Sequence, residues 1–466
     1  MILAVLSLAG LAYSVLSSAV IPALPTFQHA LHTNETGVSW ILTAFLLSAS
    51  VGTSIIGRLG DMYGKEKLLL WTLVLFAVGS LLAALANSLA VLIVARVIQG
   101  VGGGIFPLAF AIARDEFPHE RVAGSIGLMS SILGVGGGIG IIAGAVIVEH
   151  LGVHWLFWLP LIVTVIAAIC TWRYIPESPV RVPGQVNWTA AALMSTGMCM
   201  VLIGVAQTTV WGWGSVKTVT LLIGGAIEIC LWVLVETRSN EPLIDMAMMR
   251  IRGVWTANLA AFLLGAGMYS SFIVIPQFAQ LPRSTGFGFG ASIVVSGLYL
   301  LPCALVMGLV GTAAGRVARR YGSKLALVVG TAITAVSFAV LLVAHQHPYE
   351  LLISATMLGI GVGLAFAALA NLIVQAVPAG QTGAAGGMNT VMRTLGGALG
   401  GQLSATFIAD HVARGNPTVT GFDQTFAMAT VFLIIGVGAS VLVPGPRVLR
   451  RERRHSLQGV PDLSRV

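Results

Sequence analysis

Charged residues are scarce in this chain. Asp, Glu, Lys and Arg make up only 9% of its 466 residues, whereas hydrophobic residues make up 56%. A chain this poor in charge cannot present a mostly water-facing surface, which excludes a soluble globular fold. Cysteine is also scarce, and its four copies fall inside apolar runs with no paired spacing, at Cys170, Cys199, Cys230 and Cys303. Neither a disulfide framework nor a zinc site is expected.

Long apolar runs recur along the whole sequence. A spanning helix needs about 20 apolar residues, and fourteen such runs are predicted at about 3–25, 38–57, 68–87, 90–113, 122–148, 155–173, 188–209, 218–236, 253–279, 290–313, 325–344, 350–375, 384–409 and 423–443. The first run has no basic leader and no small-residue cleavage site. We therefore interpret it as a retained span and not as a signal peptide.

The positive charges follow a topological rule. Of the 25 Lys and Arg residues, Lys217, Arg283 and Arg414 fall in loops on one side, and Arg96 and Arg393 fall within spans. All the others lie on the opposite side, which the positive-inside rule assigns to the cytoplasm. The net charge of +8 therefore reflects membrane orientation and not nucleic-acid binding. We expect a multi-pass protein of the cell membrane with both termini in the cytoplasm.

The sequence contains an internal duplication. The loop Gly57–Lys67 returns in degenerate form at Gly315–Lys324, and later positions such as Gly127 and Gly387 repeat with nearly the same offset. Repeats of this kind are typical of secondary transporters built from two homologous bundles. Each half supplies six spans, and the two remaining spans, at about 188–236, lie between the halves.

Four regions are predicted from this pattern. Residues 1–175 form an N-terminal six-helix bundle, and 176–252 hold two polar linkers and two accessory spans. Residues 253–443 form the C-terminal six-helix bundle, and 444–466 are a basic cytoplasmic tail. The arginines of this tail either anchor the topology or bind anionic lipid.

Signals for cofactors and catalysis are weak or missing. Gly60–Lys65 has one residue too few between its glycines for a phosphate-binding loop, and the other glycine runs lie within spans. His345 and His347 alone are a weak metal signal. No nucleophile and base lie at a common depth, as an intramembrane enzyme would require. We expect no cofactor, no metal and no enzymatic activity; a membrane sensor would usually carry a sizeable soluble domain.

Two motifs resemble a known family. The loop Gly57–Lys67 resembles the signature loop of the major facilitator superfamily. A second run resembles the helix 4 motif of that superfamily's proton-driven drug antiporters, at Leu92, Arg96, Gln99, Gly100, Gly102, Gly103 and Gly104. Fourteen spans match the drug:proton antiporter family with two additional central helices.

The resemblance implies a fold and a function. The fold is all-α and integral to the membrane, with two six-helix bundles plus two inserted accessory helices. The implied function is export of a hydrophobic small molecule in exchange for protons, by rocking of the two bundles about a midplane site. Its partners would be that molecule, protons and membrane lipid, with no nucleic acid. A proton-independent or endogenous-metabolite exporter is the alternative within the same fold.

The first loop carries a candidate conformational latch. Asp61 can accept hydrogen bonds from the exposed backbone amides at a helix N-terminus, and its natural partner is the start of the thirteenth span, at Gly383–Gly386. In the family this contact holds the outward-facing state. Arg58 and Lys65 are placed to pair with Asp115 or Glu116. The predicted latch comprises Gly57, Arg58, Asp61, Gly64 and Lys65, and a solvated topology-setting loop is the alternative.

Two arginines lie inside spans, where a charge is costly and by default a functional candidate. The resemblance gives Arg96, with Gln99 nearby, a role in proton coupling, together with Asp115 at the inner end of the same span. An interhelix hydrogen bond to carbonyls is the structural alternative for Arg96. Arg393 is expected to bridge polar groups between helices or to contact substrate.

In the superfamily the first and fourth helices of each three-helix unit line the cavity. The polar and aromatic candidates on these helices are Ser17, Gln99, Asn258, Tyr269, Gln277 and Asn371. An apolar cavity with few charges suits a hydrophobic compound that is either cationic or neutral. Helix packing is the alternative role for each of these residues.

The acid that usually couples protons in the first helix is missing, because Leu16–Ile21 contains no carboxylate. Glu228 is the only carboxylate near the middle of a predicted span. It lies on an accessory helix, outside the interface that alternating access opens and closes.

We predict that Glu228→Gln retains at least about half of wild-type transport, because the swap conserves volume and Glu228 does not face both sides in turn. Asp115→Asn should be the more damaging change. The measurement is pH-gradient-driven efflux of both variants, normalised to the amount of protein in the membrane. Loss of efflux in Glu228→Gln with normal efflux in Asp115→Asn would place proton transfer in the accessory helices.

Overall fold

The computed structural model describes residues 1–33, 35–178, 185–239, 242–413 and 416–445. Within these residues the chain forms fourteen long helices, α1 Ile2–Ala19, α2 Glu35–Tyr63, α3 Lys65–Ala84, α4 Leu89–Glu116, α5 His119–His150, α6 Trp155–Tyr174, α7 Trp188–Ala206, α8 Val216–Arg238, α9 Arg252–Gln280, α10 Leu301–Tyr321, α11 Ser323–Val343, α12 Pro348–Ala376, α13 Thr382–Asp410 and α14 Val419–Leu442. A short 3-10 stretch, Val101–Gly104, lies in the middle of α4.

Short elements connect these helices. The short helical segments are Ile21–Ala23, Leu24–Ala30, Thr208–Trp211, Met246–Arg250, Arg283–Thr285, Ile293–Leu298 and Ala379–Gln381. Two strands of two residues, β1 Val412–Ala413 and β2 Asn416–Pro417, pair in antiparallel fashion before α14. The basic tail from Arg447, most of the first linker (179–184) and Arg414 lie outside the described residues.

Thirteen helices in the described chain are long and apolar enough to cross a membrane, which confirms a multi-pass membrane protein. The predicted fourteenth, α13, has 29 residues but a more polar sequence, with Asn389, Arg393 and many glycines. These side chains and the glycines are largely buried against neighbouring helices. A helix so enclosed does not need the apolar surface that a lipid-facing helix needs.

The helices pack as two bundles and a pair. Helices α1 to α6 share one apolar core, and α9 to α14 share a second. The accessory helices α7 and α8 pack against each other, and their buried Met194, Met198 and Trp232 belong to the second core. Helix α7 also contacts both α2 and α13, so the pair covers the line along which these two helices meet.

The bundles meet along two main seams, α2 against α13 and α5 against α10. In the first seam Gly57 lies so close to Gly383 that an added Cβ would overlap the Gly383 carbonyl oxygen. In the second seam a Cβ on Gly315 would lie 2.5 Å from Gly124 Cα. Because Gly57 and Gly315 are equivalent in the duplicated loop, the two seams are related by the internal repeat.

The repeat also extends to the backbone of the two loops. Gly64 connects α2 to α3 with φ 115°, and Gly322 connects α10 to α11 with φ 87°. Both values fall where an L side chain is strained, so glycine is required at both turns. We call the end of the molecule that carries these turns the inner end, because the charge distribution predicts that it faces the cytoplasm.

Glycines also set the distance between α9 and α13. A Cβ added to Gly396 would overlap the Phe262 carbonyl oxygen, and one added to Gly400 would overlap that of Ala266. Both clashes involve backbone, which cannot move aside as a flexible side chain can. Small residues at such positions allow close packing between membrane helices.

Gly396→Ala should therefore destabilise the protein by about 1–3 kcal/mol, the usual effect of overpacking a tight interior. Gly438→Ala is the matched control, since nothing lies within 4 Å of a Cβ at that position in α14. Thermal unfolding of the two purified variants provides the comparison. Equal midpoints for Gly396→Ala and Gly438→Ala would show that the α9–α13 contact is looser than described.

Candidate functional site

Asp61 lies in the last turn of α2 and is fully buried. Its carboxylate accepts hydrogen bonds from the Gly383 amide at 3.3 Å and the Ala384 amide at 3.1 Å. These amides belong to the first turn of α13, where backbone donors have no partner within the helix and the helix dipole favours negative charge. The contact joins the two bundles at the place the sequence indicated, and its role as a latch remains a prediction.

Arg114, which the sequence reasoning overlooked, makes a second contact between the bundles. From the inner end of α4 its guanidinium donates to the carbonyl oxygens of Val377 at 3.0 Å and Pro378 at 3.2 Å, and to Thr382 Oγ1 at 2.5 Å. Val377 directly follows Ala376, the last residue of α12. A cation is favoured at the carbonyl end of a helix for the same reason that an anion is favoured at the amide end.

Asp61 and Arg114 thus hold one short segment, residues 377–384, from its two ends. The acid binds the amides that begin α13, and the base binds the carbonyls of the two residues that follow α12. We call this arrangement the inner clamp. The available sequence signal for Arg114 was a cation in the last turn of an apolar span. The sequence prediction assigned roles only to its neighbours Asp115 and Glu116.

An ion pair fixes the end of α4 from which Arg114 extends. Lys65, the first residue of α3, pairs with Asp115, and both side chains are buried. Ser178 from the first linker also donates to Asp115, at 2.6 Å. The expectation that Arg58 pairs with Asp115 or Glu116 is wrong, because among the described residues it makes no ion pair and its Nε has no hydrogen-bond partner.

Asn371 adds a polar contact between the bundles, from α12 to α5. Its side-chain amide donates to the Ala123 carbonyl oxygen of α5 at 3.1 Å and to the Ala367 carbonyl oxygen of its own helix at 2.8 Å. The residue was expected in the substrate cavity. In this conformation it joins α12 to the first bundle instead.

Arg96 is fully buried inside the first bundle. Its Nε donates to the Ile41 carbonyl oxygen at 3.0 Å, its Nη1 donates to Gln99 Oε1 at 2.9 Å, and the guanidinium lies 4.1 Å from the centre of the Phe45 ring. Gln99 in turn donates to Ser80 Oγ at 3.0 Å. The carbonyl contact given as the structural alternative is therefore present, and Gln99 belongs to this internal network and not to a central cavity.

The other predicted cavity residues are also dispersed. Asn258 accepts a hydrogen bond from Asn389 at 2.9 Å between α9 and α13, and Ser17 donates to the Ser14 carbonyl oxygen at 2.7 Å within α1. Tyr269 lies against Gly397, and Gln277 is exposed. The structure does not bring the six candidates together in one cavity.

A small cavity does lie between the bundles, among α4, α5, α12 and α13. Its volume is about 10 Å³, which is room for a single water. The side chains that characterise it are Phe110, Ser130, Phe366, Asn389, Thr390 and Arg393. With the inner clamp formed, the centre of the molecule is closed around this space.

Arg393 does not bridge polar groups as expected. Its guanidinium lies 4.7 Å from the centre of the Phe366 ring, and it has no hydrogen-bond partner among the described residues. Asn389, the expected neighbour, donates to Asn258 instead. Arg393 is nevertheless 8% exposed, and it lines the central cavity.

The remaining titratable groups form no site of their own. Glu228 is half-buried beside Gly197 of α7, away from the interface between the bundles. In the part of the chain that the structure describes, no three His, Cys, Asp or Glu side chains are grouped closely enough to hold a metal ion.

The sequence and the structure were compared with known proteins. Residues 6–401 match the family model described as Major Facilitator Superfamily. The Tetracenomycin C resistance and export protein of Streptomyces glaucescens is 28% identical over 400 residues, which are 85% of this chain and 73% of that protein. Multidrug resistance protein 3 of Bacillus subtilis is 27% identical over 374 residues, 79% of this chain and 72% of that protein.

Two solved structures share the fold. The human organic anion transporter MFSD10 (TETRAN) superposes with a TM-score of 0.67 at 16% identity, covering 94% of this chain and 98% of that one. The proton:xylose symporter XylE superposes with a TM-score of 0.66 at 13% identity, covering 95% of each chain. The fold is therefore shared by proteins with little sequence in common.

We predict that Asp61→Asn and Arg114→Gln each open the inner end. Each change removes charge-assisted hydrogen bonds worth about 1.5–3 kcal/mol, so the open fraction should rise roughly tenfold or more. A reporter at Thr390→Cys, in a protein whose native cysteines are replaced by Ala, measures this as the rate of labelling by an impermeant maleimide applied from the inner side.

Arg173→Gln is the control for the loss of one arginine, since Arg173 is exposed at the end of α6. Both clamp residues hold the same segment. The rise in labelling rate in the double variant should therefore be smaller than the product of the rises in the two single variants. Labelling rates in both single variants that match Arg173→Gln would show that the clamp does not control access.

Proposed function

Because this chain belongs to the major facilitator superfamily, we propose that it exports hydrophobic small molecules from the cell in exchange for protons. The transporter class follows from the family, which confirms the expectation of a transporter and not an enzyme. The relatives named for antibiotic resistance, export and multidrug resistance support the direction and the kind of cargo. The positive-inside distribution supports a place in the cell membrane with the inner end in the cytoplasm.

The inner clamp carries the proposal. An exporter must close its cytoplasmic side before it releases cargo outside, and a closed side must be held by contacts that can be broken. Asp61 and Arg114 supply such contacts, because they hold residues 377–384 by hydrogen bonds between otherwise separate bundles. Cargo enters from the cytoplasm when the clamp releases, and the central cavity then widens beyond its closed volume.

Asp115 is the group through which proton binding can reach the clamp. A proton carrier must be a group that gains and loses a proton, and the carboxylate of Asp115 is next to Arg114 in the sequence. Protonation of Asp115 would leave Lys65 buried without its ion partner. The inner end of α4 would then no longer be fixed to α3. The adjacent Arg114 would no longer be held in position to donate to the carbonyls of Val377 and Pro378.

A proton-independent exporter of the same fold is the second candidate. The observation in its favour is the first helix, where Leu16–Ile21 contains no carboxylate. In the described interior of the two bundles, carboxylates occur only within the first or last two turns of helices. An exporter of this kind would exchange or release its cargo without a pH gradient.

Proteoliposomes separate these two candidates. Purified protein is reconstituted, a pH gradient is imposed, and uptake is measured over a panel of hydrophobic antibiotics and dyes. Proton-coupled export predicts uptake that needs the gradient and stops when a protonophore is added. Uptake that is equal with and without a gradient would leave the proton-independent exporter, and no uptake of any compound would reject drug export.

Arg96→Lys should weaken coupling. Lysine keeps the charge but loses the planar fork that contacts Ile41 and Gln99 at once. Loss of one charge-assisted hydrogen bond, about 1.5–3 kcal/mol, should lower gradient-driven uptake roughly tenfold while leaving gradient-independent exchange nearly unchanged. Arg173→Lys is the matched control. If Arg96→Lys vesicles show normal gradient-driven uptake, Arg96 has only its structural role.

A further inference from the structure

We infer that the central site selects cargo bearing an anionic group, such as a carboxylate, sulfonate or ionised phenol, on an apolar ring body, and that Arg393 binds that group. This inference rests on the proposed export function and specifies its substrate class. The sequence favoured a hydrophobic cargo that is cationic or neutral, and the inference replaces it with an anionic one.

The first observation is the state of Arg393. The side chain is 8% exposed, yet in the described part of the protein none of its guanidinium donors has a hydrogen-bond partner. It lines the cavity between the two bundles, where its guanidinium lies over the face of the Phe366 ring. A buried guanidinium with free donors is matched by a ligand that supplies acceptors in a plane, as a carboxylate or sulfonate does.

The second observation is the balance of charge around it. Every described carboxylate of α1 to α6 and α9 to α14 lies in the first or last two turns of its helix, far from the midplane. Arg96 is buried as well, and among the described residues it has no carboxylate partner and its Nη2 makes no hydrogen bond. Near the midplane, the described interior of the two bundles therefore holds two cations and no carboxylate, which attracts an anion and repels a cation in a medium of low dielectric constant.

The third observation is the composition of the cavity wall. Ser130 of α5 is buried, and its hydroxyl has no hydrogen-bond partner within the described part of the chain. Thr390 of α13 donates to the Gly386 carbonyl oxygen and keeps its own lone pairs. Phe110 and Phe366 supply aromatic faces from α4 and α12. Once the bundles separate and this cavity widens, a ring body between the two phenylalanines would place its acidic group against Arg393 and Ser130, with walls from both bundles.

Three fluorescent compounds with the same ring test this directly. Dansyl sulfonate is a fixed anion, dansylamide is neutral, and dansylamidoethyl-trimethylammonium is a fixed cation. Their affinities are measured with purified full-length protein by fluorescence titration. We expect the wild type to bind the anion at least about tenfold more tightly than the cation, with the neutral compound between them.

Arg393→Gln should remove that preference. Its affinity for the anion should fall about tenfold, while its affinity for dansylamide should change by less than about twofold. Arg393→Lys keeps the charge and should keep most of the preference, and Ser130→Ala should weaken only the anion. Arg173→Gln, exposed and distant, is the control. The wild-type comparison of anion and cation stands even if a variant at Arg393 fails to fold.

Equal or tighter binding of the cation by the wild type would overturn the inference, as would an anion preference that survives in a folded Arg393→Gln protein. Transport separates this result from the proposed function. If the anion binds through Arg393 but no compound is carried by proteoliposomes, the export proposal fails and the charge preference stands. If cationic compounds are exported and the anion is not, export stands and the charge preference fails.

Discussion

The structure depends on how helix ends are satisfied where the two bundles meet. A helix leaves its first amides and its last carbonyls without partners, and these groups carry partial charges of opposite sign. Residues 377–384 contain the carbonyls that directly follow α12 and the amides that begin α13, and the first bundle binds them with a base and an acid. The buried pair of Lys65 and Asp115 holds the helix that presents the base. We propose that closure of the inner end depends on these few hydrogen bonds between the bundles.

The internal repeat explains why this clamp is one-sided. The glycines that permit close approach are kept in both seams, as Gly57 against Gly383 and Gly315 against Gly124. The acid is not kept, because the position equivalent to Asp61 is Arg319. An arginine cannot accept hydrogen bonds from a helix N-terminus. Among the described residues, the second seam is formed by packing of α5 against α10, and the Asn371 side chain of α12 adds a hydrogen bond to the Ala123 carbonyl oxygen of α5.

The sequence predicted features whose cause is local or periodic. Span positions follow from apolar runs, and the Asp61 contact follows from a loop acid and a helix start that must meet. The sequence did not predict which neighbours a polar side chain contacts, because that depends on the rotation of its helix about the helix axis. Gln99 faces the network of Arg96 and Ser80, and Asn371 faces α5, although both belong to helices expected to line the cavity. Arg393 was expected among hydrogen-bond partners and instead faces the cavity and a phenylalanine ring.

The most direct test of the clamp is a distance measured between the bundles at the inner end. Spin labels at Tyr63 and Tyr321, equivalent positions of the repeat that are both exposed, report the separation of α2 and α10 by pulsed electron resonance in lipid. The account predicts one short distance in the wild type and a second, longer population when the carboxylate of Asp61 is replaced by an amide. A single short distance in both proteins would contradict it, because the inner end would then stay closed without the negative charge of Asp61.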